Sequence, residues 1–164
     1  MPDISYKLRA AREEDAKTIR KLVIQSRINP TGLKWTRFVV AEAPSGEVIA
    51  CGQVKPHRDG TRELASIVVR PDWRGRGVAR AIIEHLLEQH PGDLYLMCRS
   101  ALGPLYEKFG FQPVADDEMP RYFRRVKGLA RLAEWLMREG EYLLVMRREG
   151  EKNFTGSLSR RERP

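Results

Sequence analysis

The alternation and helical spacing of apolar residues divide the chain into a regular succession of strands and helices. Tyr6-Lys7-Leu8-Arg9-Ala10 alternates as a short strand does. After Arg12-Glu13-Glu14-Asp15 the apolar positions Ala16, Ile19, Leu22 and Val23 recur at helical spacing. Pro30 and Gly32 break that period between Ile28 and Trp35, which reads as an irregular connection. Three strand-like stretches follow, at 38–42, 48–54 and 64–69, separated by Pro44-Ser45-Gly46-Glu47 and Arg58-Asp59-Gly60-Thr61. Asp-Gly between two such runs signals a hairpin, so the pattern predicts an antiparallel meander.

Beyond Arg70-Pro71-Asp72-Trp73, the positions Val78, Ile82, Leu86 and Ala79, Ile83, Leu87 form an apolar helical stripe that stops at His90-Pro91-Gly92. Such a helix is expected to lie on the sheet. Residues 94–98 read as a fifth strand, and 102–109 as a short helix closed by Gly110. An extended piece follows at 111–114. Asp116-Asp117-Glu118 and Pro120 suit the first turn of a basic helix carrying Tyr122, Phe123, Val126, Leu129, Leu132, Ala133 and Leu136 and ended by Gly140. Residues 141–147 read as the last strand, and the polar stretch 149–164 is expected to be a flexible tail behind a domain spanning 1–148. The order β-α-β-β-β-α-β-α-β-α-β, free of internal repeats, predicts one α+β domain with a mixed sheet.

Composition narrows the functional classes. No segment approaches the ~20 apolar residues that span a bilayer, and residues 1–12 lack the apolar core of a secretion signal, so a cytoplasmic location is expected. Cys51 and Cys98 sit inside strand-like runs without zinc-ligand spacing, which predicts buried, reduced thiols and no metal site. The net charge of +8 favours polyanionic partners, whether nucleic acid or the phosphates of a nucleotide. Arg121, Arg124, Arg125, Lys127, Arg131 and Arg138 on one helix support a nucleic-acid-binding module as the competing reading. No zinc-finger, homeodomain or RNP pattern accompanies them, which argues against it.

The segment Arg74-Gly75-Arg76-Gly77-Val78-Ala79-Arg80 joins a strand to a helix, so its amides form a helix N-terminus. Unpaired N–H groups and the positive end of the helix dipole suit a diphosphate there. Gly75 and Gly77 let it approach the main chain without a Cβ, while Arg74, Arg76 and Arg80 add charge. A dinucleotide fingerprint would need Gly at Arg80, and a Walker loop would need a Gly-Lys-Ser/Thr ending that is absent. A tight turn with exposed arginines is the plainer alternative.

Val69-x-Pro71-x-x-Arg74-Gly75-Arg76-Gly77-Val78-Ala79 resembles the acetyl-CoA signature of the GNAT superfamily, Arg/Gln-x-x-Gly-x-Gly/Ala after a strand. Leu105-Tyr106-Glu107-Lys108-Phe109-Gly110-Phe111 is similar to the family's Tyr-Glu-Lys-x-Gly-Phe segment, at the expected distance and on a short helix. The resemblance implies a GNAT-like fold, a mostly antiparallel central sheet flanked by helices, and an N-acetyltransferase that takes acetyl-CoA as co-substrate. It implies that Ile67, Val68 and Val69 splay from the neighbouring strand and pair with the pantetheine arm, and that Gly75 to Arg80 hold the diphosphate. It also implies that Tyr106 protonates the departing thiolate, for which a phenol with a pKa near ~10 is suited at neutral pH.

Only a neutral amine attacks a thioester, so a base is required. Glu63, at the start of the strand leading into the glycine loop, is the leading candidate on the resemblance, and His57 is the weaker one. His85 and His90 read as surface groups. Two departures stand out. Arg99 occupies a position where relatives often carry Asn, and the basic segment from Pro120 to Arg138 replaces what is often a short loop. The acceptor is an amine on a small molecule or a protein, the assembly is a monomer or a homodimer, and a catalytically inactive acyl-CoA sensor is the third reading.

Overall fold

The computed structural model describes residues 5–132 and 140–151. Seven strands form one sheet: β1 (Lys7–Ala10), β2 (Phe38–Glu42), β3 (Val48–Pro56), β4 (Arg62–Val69), β5 (Leu94–Arg99), β6 (Gln112–Pro113) and β7 (Leu143–Arg148), in spatial order β1-β2-β3-β4-β5-β7-β6. Every neighbouring pair is antiparallel except β4 and β5. Helices α1 (Ala16–Gln25), α2 (Val78–Gln89), α3 (Gly103–Glu107) and α4 (Arg121–Leu132) fall where the periodicity places them. The rest of the expected basic helix and most of the expected tail, 133–139 and 152–164, lie outside the described residues. No helix among the described residues is long and apolar enough to cross a membrane.

Strand alternation sorts the side chains onto two faces. On one face Ile82, Ile83 and Leu86 of α2 pack against Ala50, Val54, Leu64, Leu94 and Leu96. On the other, Ile19, Leu22 and Val23 of α1 cover Val40, Cys51 and Val68, while Phe123 of α4 covers Val145 and the inner edges of Tyr95 and Met97. Arg9 donates to both carboxylate oxygens of Asp15, at 2.7 and 3.1 Å, and ties the entry to α1 onto β1. Asp15 consequently stays below the usual carboxylate range, chiefly through that bond.

A bulge interrupts β4. Gln53 faces Ala65 and Cys51 faces Val68, so two steps along β3 match three along β4. The extra residue is accommodated at Ser66, whose φ of 56° is left-handed. The bulge inverts the facing of everything after it: Leu64 and then Ile67 and Val69 turn toward α2, while Val68 turns toward α1. Gly52 is required opposite this point, because a Cβ there would lie 2.6 Å from Ile67 Cδ1 and 2.7 Å from Ile82 Cγ2.

Two sequence expectations change. The acids Asp116, Asp117 and Glu118 form their own 3-10 turn instead of the first turn of α4. Met119 is extended (φ −76°, ψ 128°), as a residue before proline must be, and this separates the turn from the helix. Strand β3 also runs on to Pro56, two residues beyond the apolar run, because Lys55 and Pro56 still pair with Glu63 and Arg62.

Candidate active site

The joint between β4 and β5 organises the site. Their ladder is a single parallel bridge, Glu63 to Tyr95, so beyond it the β5-facing edge of β4 through Ile67, Val68 and Val69 carries no β5 partner. The strands part like a V whose closed end holds Glu63. At its open end a 3-10 turn (Pro71–Trp73) leads into the glycine loop and α2.

Gly75 and Gly77 both have φ of 76°, a conformation that side-chain-bearing residues seldom adopt. Gly77 is the N-cap of α2, with no side chain occupying the cap. Nothing lies within 4 Å of a Cβ built at either glycine, so the loop is open on that side at the start of α2. Val78 is buried and anchors the helix start, and Ala79 is half-buried beside it. The arginines are less uniform than the sequence suggests. Arg74 Nε donates to the Val69 carbonyl at 3.3 Å, Arg76 lies 4.8 Å over the Trp73 ring, and Arg80 Nε bonds Glu84 at 2.8 Å.

Tyr106, on α3, packs into the core on the α2 face, edge-on to Phe111 at 6.2 Å. Burial, and secondarily Cys98, push its phenol up to about 12, so it holds its proton through the neutral and alkaline range. Burial likewise raises Cys51 to about 12 and Cys98 to about 11, and both are buried free thiols.

On the opposite face Glu63 and His57 meet. Glu63 is 4% exposed, and its Oε2 lies 2.7 Å from His57 Nε2. When the carboxylate is ionised it can only accept, so the imidazole donates through Nε2 and a neutral ring is left with Nδ1 as acceptor. Tyr122 of α4 stacks on His57 at 3.7 Å and 22°, and Phe123 meets the same ring edge-on at 5.6 Å. Burial first, and the Glu63 charge second, raise the Tyr122 phenol. His57 and Tyr122, with Pro56, Arg58, Asp59, Arg121 and Arg125, line a pocket of about 590 Å³ between the β3–β4 turn and α4.

Behind the pocket a polar row continues along β3. Gln53, Lys55 and His57 share one face; Gln53 Nε2 donates to Ser66 Oγ at 3.0 Å, and Lys55 Nζ donates to the Thr31 carbonyl at 3.2 Å. Gln53 Oε1 is buried without a partner among the described residues. The connection 28–34 thus closes over the row.

The two base candidates of the sequence therefore belong to one unit, whereas Tyr106 stands across the sheet from them. Tyr122 and Arg58 were not legible as site residues. The spacing Gln53, Lys55, His57 was the available signal, since polar residues at i, i+2 and i+4 mark one strand face. Arg99 is exposed at the end of β5, and His90 is half-buried at the end of α2, its pKa lowered by burial and then by Arg62.

Comparison with known proteins agrees with this geometry. A family model described as an acetyltransferase (GNAT) domain matches residues 34–113. The fold is similar to that of N-acetylglutamate synthase from Neisseria gonorrhoeae, solved with coenzyme A and N-acetyl-glutamate, at a TM-score of 0.69 and 18% identity. That match covers 90% of this chain and 36% of the synthase, so the chain spans about a third of the larger protein. The ribosomal-protein-S18-alanine N-acetyltransferase from Escherichia coli is similar at a TM-score of 0.65 and 16% identity, over 93% of this chain and 98% of that one. An acetyltransferase of the GNAT family from Staphylococcus aureus Mu50 is similar at 0.63 and 9%, over 88% and 99%. At these identities the likeness is one of fold, and no curated protein sequence matches. The family match over residues 34–113, together with a seven-stranded sheet that parts between β4 and β5, identifies a GNAT acetyltransferase domain in this chain.

Proposed function

We propose that the chain transfers an acetyl group from acetyl-CoA to an amine by direct attack on the thioester. One observation carries the reading: a single strand, β4, has a buried carboxylate at the closed end of the V and leads into an open glycine helix start at the other. The likeness to a synthase solved with coenzyme A supports the choice of co-substrate.

Acetyl-CoA supplies an activated acetyl group and a thiolate leaving group. The amides from Gly75 to Arg80 hold its diphosphate, and the free edge of Ile67, Val68 and Val69 hydrogen-bonds its pantetheine arm. The Glu63–His57 unit, joined by one hydrogen bond, takes the proton that the attacking ammonium must lose. As the C–N bond forms and the C–S bond breaks, Tyr106 gives its proton to the sulfur, a role its raised pKa preserves, and the second proton that the nitrogen loses on becoming an amide passes through solvent to restore the phenol.

The test combines calorimetric titration with acetyl-CoA and a screen of amines for CoA release and product mass. Saturable binding with an acetylated product is expected. Binding without turnover on any amine, acidic, neutral or cationic, would reduce the protein to an acyl-CoA sensor, and no binding would remove the reading altogether.

A further inference from the structure

The mouth of the pocket over His57 gathers three arginines at one place. Several arginines elsewhere pair with carboxylates, among them Arg9 with Asp15, Arg70 with Asp72, Arg80 with Glu84 and Arg147 with Asp93. Arg58, Arg121 and Arg125 line one pocket and have no ion pair or side-chain hydrogen bond among the described residues.

The single acid on the rim, Asp59, is already engaged. It accepts from Thr61 N at 3.0 Å and Thr61 Oγ1 at 2.6 Å, and the Tyr122 amide bonds it as well. These bonds fasten the β3–β4 turn to the first turn of α4 and so bring the three arginines to one pocket. Three positive charges against one negative leave the rim at +2, and the N-terminal end of α4 adds to the same sign. A volume of about 590 Å³ is the size of a small-molecule site.

We propose that this pocket selects the acceptor, and that the acceptor is a small amine carrying two carboxylates, an amino dicarboxylic acid. The inference rests on the acetyl transfer proposed above and adds its substrate class. The guanidiniums hold the carboxylates, bidentate where the geometry of the fork allows, and the stacked pair of Tyr122 and His57 forms the floor. An amine on the same small molecule then meets the Glu63–His57 unit, where its proton is taken.

The experiment compares glutamate and aspartate with glutamine and asparagine, with a polyamine, and with a peptide whose N-terminal residue is acidic. Acetyl-CoA affinity is measured separately by calorimetry on each protein. For the wild type, kcat/KM is expected to favour each dicarboxylate over its amide by ~10-fold or more, and over the polyamine and the peptide. Replacing Arg121→Gln and Arg125→Gln together is expected to raise KM for the dicarboxylates by ~10–100-fold while acetyl-CoA affinity stays unchanged. Equal or better use of the amides, the polyamine or the peptide by the wild type overturns the substrate class, even if the double variant does not fold. An unchanged KM in a folded double variant overturns the role of the arginines. Failure of the wild type to bind acetyl-CoA at all would instead sink the transferase reading, and calorimetry shows that outcome independently.

Discussion

The two ends of β4 are built from different materials. At the glycine-loop end the open features belong to the main chain, two glycines at left-handed φ and a strand edge without a β5 partner, while Arg74, Arg76 and Arg80 are engaged with Val69, Trp73 and Glu84. At the Glu63 end everything of chemical interest is a side chain, brought from β3, β4 and α4 and locked by stacking and one short hydrogen bond. A main-chain site needs only local sequence, two glycines at left-handed φ and a helix behind them. A side-chain site needs the fold to be complete. The first therefore suits a co-substrate that does not vary, and the second can be remade by changing one turn and one helix.

The largest expected effects come from setting one side of the reaction against the other. Tyr106→Phe keeps the ring in its core position and removes the proton donor, and Glu63→Gln keeps the hydrogen bond to His57 and removes the charge. Each is expected to lower kcat by ~10²–10⁴-fold with acetyl-CoA affinity preserved. Their pH profiles differ. The Glu63→Gln defect shrinks as pH rises, because solution deprotonates the amine without help. The Tyr106→Phe defect stays constant over that range. Since burial raises the Tyr106 pKa to about 12, the proton donor is retained well below that pH, and the wild type shows no alkaline loss from this group between pH 7 and 10. If Tyr106→Phe turned over at the wild-type rate, the phenol would be a packing residue and thiolate protonation would fall to water.

A smaller effect tests whether the cofactor end is a main-chain site. Gly77→Ala places a Cβ on the open face and forces alanine to φ 76°, a strain of about 1–2 kcal/mol. Gly60→Ala supplies the control, since Gly60 has φ of 85°, is equally open and sits at the other end of β4. Similar losses in Tm are expected for both, with a ~10–100-fold loss of acetyl-CoA affinity for Gly77→Ala alone. Equal affinities in the two variants would show that no ligand approaches Gly77.

The same contrast explains what could be read in advance. The element order and the glycine loop were legible because each depends on residues close in sequence: apolar periods, Asp59-Gly60, Gly75 and Gly77. Glu63 and His57 were each visible as bases, but their 2.7 Å contact depends on β3 running past its apolar stretch to Pro56, and no hydrophobic pattern marks that extension. The bulge at Ser66 was hidden for a related reason. It arises from a mismatch of lengths between two strands, and serine carries no turn signal inside an apolar run. Tyr122 read as one more apolar position of a helix, and only docking of α4 against β7 and the β3–β4 turn brings its ring onto His57.

The smallest expected effect is at Arg80, which the sequence places among the phosphate-binding residues. Its side chain is 74% exposed and its Nε is engaged by Glu84 one turn along α2. Such a pair contributes at most about 0.5 kcal/mol to the helix, and its field beyond a few ångströms is screened by salt. Arg80→Gln should therefore leave Tm nearly unchanged and weaken acetyl-CoA binding only a few-fold. That loss should fade as ionic strength rises, because a screened side-chain charge is all that has been removed. The loss at Gly77→Ala should persist in the same salt series, because the obstruction there is steric. Calorimetry on both variants from low to high salt decides the matter. If Arg80→Gln cost more affinity than Gly77→Ala at physiological salt, the cofactor end of β4 would be a side-chain site like its opposite end, and the contrast between the two would fail.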